Sequence, residues 1–183
     1  DKIKEVCKNL YVEEVEVRTD EDPDVKPYVQ EVKTEWLKVT LPPPFHEVQK
    51  HIKNFLKDRL ERLRNWGVLQ KNDLEFVSKR DLLALQAQLR GRAASGERDS
   101  TVWTSISVLA EIMKMQHALE LLETQGIAPL YKYLKKMQAE SITTKVKAVK
   151  NIVRDLNYRT ALIQTEKLHN EGIEHPKLVE LQK

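Results

Sequence analysis

The sequence is short of the residues that most catalytic and metal-binding chemistry requires. Of 183 residues only one is cysteine, Cys7. That excludes an internal disulfide and a thiolate-based zinc site, and it fits a reducing compartment. Only five glycines occur, and none falls in a phosphate-cradling pattern: G-x-x-x-x-G-K-[ST] and G-x-G-x-x-G are both absent. The G-x-S-x-G nucleophile elbow is absent as well. The five histidines (His46, His51, His117, His169, His175) share no metal-ligand spacing. His46 and His51, five residues apart, fall on different faces of a helix. No apolar run approaches the length of a membrane span, and no signal-peptide pattern opens the chain. The chain begins at Asp1 rather than Met, and is expected to be a piece of something longer. These absences predict no catalytic residues, no metal site and no cofactor in this chain.

What is present is a helix-rich composition. Hydrophobic residues make up 40% of the chain and the net charge is only +3, which suits one folded domain with appendages rather than a disordered tail. Asp1–Leu10 reads as a short helix, with Ile3, Val6 and Leu10 on one face. Tyr11–Arg18 alternates apolar and acidic residues and reads as a strand, and Val29–Leu41 is also β-rich. Pro23 and Pro27 break the acidic loop between them. After Pro42-Pro43-Pro44 the period changes to 3.6: Phe45, Val48, Ile52, Phe55, Leu56, Leu60 and Leu63 form a helical stripe that ends at Gly67. Ser78 and Asp81 have capping-box spacing before a helix over Leu82–Leu89, with Val77 and Leu82 as a hydrophobic staple. Gly91–Asp99 reads as a polar loop. Thr101–Gln125 is apolar nearly all round and belongs at the centre of a bundle. Gly126 ends it. Pro129 sits in the first turn of the next helix, where proline is tolerated, and a last long helix is expected over Thr143–Asn170. After Gly172, His175-Pro176 opens a fresh start.

Three patterns invite a sharper reading. Asp20, Asp22 and Asp24, with Glu31 as the twelfth residue, match half of an EF-hand loop, but Val25 replaces the glycine at the sharp turn and Pro23 interrupts it. A solvated acidic loop is the expectation. His117 lies on the central apolar helix, where a satisfied core histidine is expected rather than a ligand. Met113 and Met115 read as gap-filling core.

The charge distribution is more informative. Residues 127–160 carry Lys132, Lys135, Lys136, Lys145, Lys147, Lys150, Arg154 and Arg159 against two acids, Glu140 and Asp155. The first 41 residues run the other way, with seven basic and eleven acidic side chains. Lys147, Lys150 and Arg154 follow i, i+3, i+7 on one helical face. Lys132, Lys135 and Lys136 form a second stripe. Lys50, Lys53, Lys57 and Arg64 form a third, interrupted by Glu61. A solvated surface accounts for the third stripe, where Asp58 and Glu61 intervene. The first two are nearly unopposed, which is how a surface attracts a polyanion.

The flanks carry a resemblance. Lys2-Ile3-Lys4-Glu5-Val6-Cys7-Lys8-Asn9-Leu10 and the stretch Val15–Val29 resemble the segment after motif III of archaeal Hef helicase-nucleases. Glu35-Trp36-Leu37-Lys38-Val39-Thr40-Leu41-Pro42 is similar to the strand that begins their second RecA-like domain. His117-Ala118-Leu119-Glu120-Leu121-Leu122-Glu123-Thr124-Gln125-Gly126 looks like part of their helical insert, and His175-Pro176-Lys177-Leu178 like the helix leading to motif IV. The likeness runs through the whole chain in order. The wider group includes the Fanconi anaemia group M helicase and, more distantly, RNA-sensing and Dicer helicases. The resemblance implies a segment of a superfamily 2 helicase lying between motifs III and IV. Its fold would be mainly α, a thumb-like helical bundle with a small β-strand appendage from the flanking RecA-like domains. It implies a flanking segment at 1–41, an insert bundle at 42–172, and the start of the second RecA-like domain's helix at 173–183. ATP and magnesium would act elsewhere in the parent.

Charge and resemblance together predict sequence-independent binding of forked or branched DNA through phosphate contacts. The charge reading alone supplies the residues: Lys145, Lys147, Lys150, Arg154, Lys132, Lys135, Lys136, and on the first bundle helix Lys50, Lys53 and Lys57. The remaining helicase domains of the parent would be partners, and no membrane is expected. The compartment would be cytoplasmic in an archaeal-type cell and nuclear in a eukaryote. The alternative is a protein-docking bundle whose basic faces serve solubility.

Overall fold

A computed structural model describes residues 2–30, 33–70, 77–97 and 99–182. It divides into two units, Asp1–Lys38 and Val39–Lys183. In the first, α1 spans Lys2–Asn9 and a single 3₁₀ turn spans Lys26–Tyr28. The acidic loop folds on itself: the Thr19 amide donates to Asp22 Oδ2 at 2.7 Å, and Arg18 pairs with Glu16 and Asp24. Asp22 and Asp24 are thus engaged locally, while Glu31 lies outside the described residues. The two expected strands do not form: Tyr11–Arg18 and the described part of Val29–Leu41 carry no regular structure. A strand leaves its backbone N–H and C=O groups to a neighbour, and no neighbouring strand occurs among the described residues.

The second unit is the expected helical bundle, built from α2 (Pro43–Asn65), α3 (Lys79–Ala94), α4 (Ser100–Thr124), α5 (Ile127–Thr143), α6 (Lys147–Arg154), α7 (Leu156–Asn170) and α8 (Pro176–Leu181). Helix α2 starts on the proline run, whose fixed φ and missing N–H suit a first turn. It buries Phe45, Val48, Ile52, Phe55, Leu60 and Leu63. The capping box of α3 is complete: the Asp81 amide donates to Ser78 Oγ at 3.2 Å and the Ser78 amide to Asp81 Oδ2 at 2.9 Å. Helix α3 continues through Gly91 to Ala94, beyond the expected loop start. A glycine costs an exposed helix about 1 kcal/mol, which does not outweigh continuing the turn behind buried Leu89.

Helix α4 packs against α2, α3, α5 and α6, and so occupies the centre as expected. It runs antiparallel to α2, which makes two core clusters. Phe45, Val48, Ile52 and Phe55 meet Met115, Ala118, Leu121 and Leu122, together with α5, α6 and α7. Leu60 and Leu63 meet Val102, Val108, Leu109 and Ile112, together with α3. Leu56 packs against both. One expectation for α4 fails. His117 keeps 51% of its side chain exposed, with Nδ1 3.7 Å from Glu120, so it is a surface residue. It lies on the side of α4 facing Tyr133, ring edge to ring face with centroids 5.0 Å apart.

The expected long helix over Thr143–Asn170 is two helices. Residues 144–146 are non-helical and Asp155 breaks the rest, closing α6 and capping α7. Gly126 adopts φ 95° between α4 and α5, a conformation that favours glycine. A Cβ there would stand 2.9 Å from His175 Cβ.

Candidate nucleic-acid interface

Lys147, Lys150 and Arg154 share one side of α6, opposite buried Ala148, Val149 and Ile152. Lys147 and Arg154 are exposed and Lys150 is half-buried. Lys145 is exposed on the non-helical link before α6, so it flanks the stripe rather than extending it. None of these four makes an ion pair with a described residue.

The stripe on α5 is divided. Lys132 and Lys136 face outward, opposite buried Leu130 and Leu134. Lys136 reaches Glu140 only at 3.9 Å. Lys135 turns towards α7, with Nζ 2.9 Å from Glu166 and 5.6 Å from the Tyr131 ring centroid. Its hydrogen bond to Glu166 holds the ammonium pKa above its ordinary value and the Glu166 pKa below its own. Lys135 is therefore paired across the bundle surface with α7 rather than unopposed like Lys132. On α2, Lys50, Lys53 and Lys57 are exposed. Lys53 and Lys57 rim a cavity between α2, α3 and α4 of about 660 Å³, floored by Leu56, Leu60, Leu82 and Ile112. The α5 and α6 lysines do not line that cavity.

The residues that sequence reasoning missed lie beneath α6. Arg59, with 7% of its side chain exposed, donates from Nε to Glu111 Oε2 at 2.7 Å and from Nη2 to Asp155 Oδ2 at 2.9 Å. Its Nη1 donates to Asp58, and its guanidinium lies 4.3 Å from the Phe55 ring centroid. Glu111, 1% exposed, accepts from Asn151 Nδ2 at 2.7 Å through its other oxygen. Burial alone would depress the Arg59 pKa, but the hydrogen bond and charge of Glu111, with those of Asp155, raise it on balance. The network ties α2, α4, α6 and the α6–α7 corner together. It also turns Asp155, the acid nearest the basic stripe in sequence, towards the interior at 16% exposure. A signal for it existed in the sequence. Arg59 falls four residues from both Phe55 and Leu63 on the apolar stripe of α2, and Glu111 three residues after Val108 on α4. A charge on a buried stripe needs a partner.

Residues 44–172 match the family model described as "Putative ATP-dependent RNA helicase, helical bundle". The chain belongs to this helicase helical-bundle family. Relatives agree over nearly its whole length. "Putative ATP-dependent RNA helicase MJ1505" of Methanocaldococcus jannaschii is 36% identical over 97% of this chain and 21% of that protein. The ATP-dependent DNA helicase fml1 of Schizosaccharomyces pombe is 23% identical over 99% of this chain and 22% of that protein. The crystal structure of the Pyrococcus furiosus Hef helicase domain superposes with a TM-score of 0.73 and 34% identity, over 98% of this chain and 37% of that one. The bundle is thus the helical domain of a Hef- and Fanconi-M-type helicase, and the chain spans about a fifth of the length of these curated relatives.

Proposed function

We propose that this helicase helical bundle grips forked or branched DNA through sequence-independent phosphate contacts, as the insert of an ATP-dependent superfamily 2 DNA helicase. The observation that carries the reading is the α6 face. Lys147, Lys150 and Arg154 point outward from one short helix, and the acid that would neutralise them is bonded to Arg59 on the inner side. Unpaired, regularly spaced cations on a rigid element suit a phosphate backbone, which needs charge and no base readout. The printed name of the relative from fission yeast, a DNA helicase, supports DNA as the parent's substrate, whereas the names of the relatives from Methanocaldococcus and Arabidopsis say RNA helicase.

The sequence shows no phosphate-loop pattern, and in this reading ATP and magnesium are handled by the parent's other domains. Those domains are its structural partners. Exposed Ile3 and Val6 on α1 with Leu10 just after it, and Leu178, Val179 and Leu181 on α8, are apolar surfaces suited to packing against them. The parent would act in the cytoplasm of an archaeal-type cell or the nucleus of a eukaryotic one. The cavity between α2, α3 and α4, apolar beneath a lysine rim, favours protein docking as the second reading.

A salt-titrated binding curve on forked and plain duplex DNA tests the proposal. Five phosphates neutralised by Lys132, Lys145, Lys147, Lys150 and Arg154 would give a slope of log K against log salt of about −4.5 on the duplex arms. Reversing Lys147 and Lys150 to Glu should lower affinity for all sequences alike and reduce the slope by about 2. A folded double variant that binds forked DNA as tightly as the parent chain would refute the reading and favour docking.

A further inference from the structure

We propose that Arg59 is a positioning residue for the DNA-binding face of α6: it holds that face in its orientation and keeps it clear of Asp155, the one acid in its own stretch of chain. The inference rests on the reading of α6 as a phosphate-contacting element. Between residues 145 and 159 there are five cations (Lys145, Lys147, Lys150, Arg154 and Arg159) and one acid, Asp155. Its side chain has two outlets. Oδ1 accepts from the Asn157 amide at 2.9 Å as the α7 cap, and Oδ2 accepts from Arg59 at 2.9 Å. With the second bond gone, Oδ2 would be left open at a helix corner, next to Arg154 and one turn from Arg159. A carboxylate so placed pairs with the nearest guanidinium and removes one cation from the phosphate-binding set.

Arg59 also sets the rotation of α6. Glu111, which Arg59 holds through Nε, accepts from Asn151 with its other oxygen. Asn151 lies four residues after Lys147 and three before Arg154, on their side of the helix. One guanidinium thus fixes the middle of α6 through Glu111 and its end through Asp155. Three directed bonds in a plane over the Phe55 ring are an arginine arrangement that a lysine ammonium does not reproduce.

The test is the anisotropy of a labelled DNA fork, titrated with salt, for the 183-residue chain and its variants Arg59→Lys, Asp155→Asn, their combination, and Lys147→Glu with Lys150→Glu. Asparagine caps a helix about as well as aspartate, so Asp155→Asn removes charge and keeps the cap. Arg59→Lys should weaken fork binding about eightfold at 0.1 M salt and lower the slope by about 0.9, the worth of one phosphate contact. Adding Asp155→Asn should restore affinity to within about twofold, and Asp155→Asn alone should bind like the parent. A network with a purely structural role would instead lower Tm in Arg59→Lys and leave the salt slope of the folded protein unchanged. Folded Arg59→Lys with unchanged affinity and slope, or a defect that Asp155→Asn does not repair, would overturn the inference. If Lys147→Glu with Lys150→Glu has no effect, the DNA reading itself fails. If it abolishes binding while Arg59→Lys does not, only the positioning role falls. Should Arg59→Lys not fold, Arg59→Gln with Glu111→Gln leaves no buried unpaired charge. The same comparison with and without Asp155→Asn then decides.

Discussion

Leu109→Ala tests whether the two core clusters melt as one body. Leu109 is fully buried in the cluster formed by α3, the second half of α2 and the first half of α4. The substitution removes three carbon atoms from a site without solvent, worth about 2–2.5 kcal/mol by transfer at roughly 0.8 per methylene. The cavity left behind adds to this, and the total should fall near 3 kcal/mol within a range of about 2–5. For a domain of this size each kcal/mol moves Tm by about 2–4 °C, so a drop of roughly 6–12 °C is expected. Helix α3 should feel the change, because its described packing is against α4. Yet α2 and α4 run unbroken through both clusters, so the whole bundle should unfold in one urea transition with an unchanged m-value. Far-UV circular dichroism during the titration reads both quantities. Trp103→Ala is the control: Trp103 lies on the same helix but is 58% exposed, and should cost within about 0.5 kcal/mol. A loss below about 1 kcal/mol for Leu109→Ala would refute its place in the core. A biphasic transition would show that the two clusters are separate cooperative units.

Two other perturbations probe features local to the bundle. Burial raises the pKa of Tyr158, whose hydroxyl donates to the Leu134 carbonyl at 2.7 Å, and pushes that of Tyr133 up to about 12, with the charge of Glu140 adding to it. Folded pKa values above the ordinary one of ~10 stabilise the native state below pH ~10 and withdraw that stability as pH rises through the folded values. Stability should therefore fall between pH ~10 and 12. Tyr158→Phe should cost about 0.5–1.5 kcal/mol at neutral pH and flatten the alkaline loss, and an unchanged alkaline profile would count against the buried phenol. Gly126→Ala should destabilise by more than about 1 kcal/mol, since both the φ of 95° and the 2.9 Å approach to His175 Cβ oppose a side chain. Neutral thermal unfolding of that variant would show that the α4–α5 corner can relax.

The sequence by itself determined whatever depends on residues within a turn or two of each other. The stripe from Phe45 to Leu63, the box of Ser78 with Asp81, the start of α2 on its proline run and the stop at Gly126 are all local. Each rests on i to i+4 geometry, a capping bond three residues long, or one residue's φ. The exposed α6 face was legible for the same reason, because Lys147, Lys150 and Arg154 repeat with the helix. Tertiary structure alone decided the rest. Asp155 reads in sequence as a surface acid on a long helix. Its cap on the Asn157 amide is local, but its turn towards the interior is set by Arg59, 96 residues earlier, which meets it from another helix. Lys135 left its stripe for Glu166, and His117 turned outward, through contacts that no local period encodes. The strands expected before Pro42 did not form, because alternation specifies two faces but not a neighbour to pair with. Helical hydrogen bonds close within the segment that makes them, whereas sheet pairing and buried charge are satisfied by distant parts of the chain.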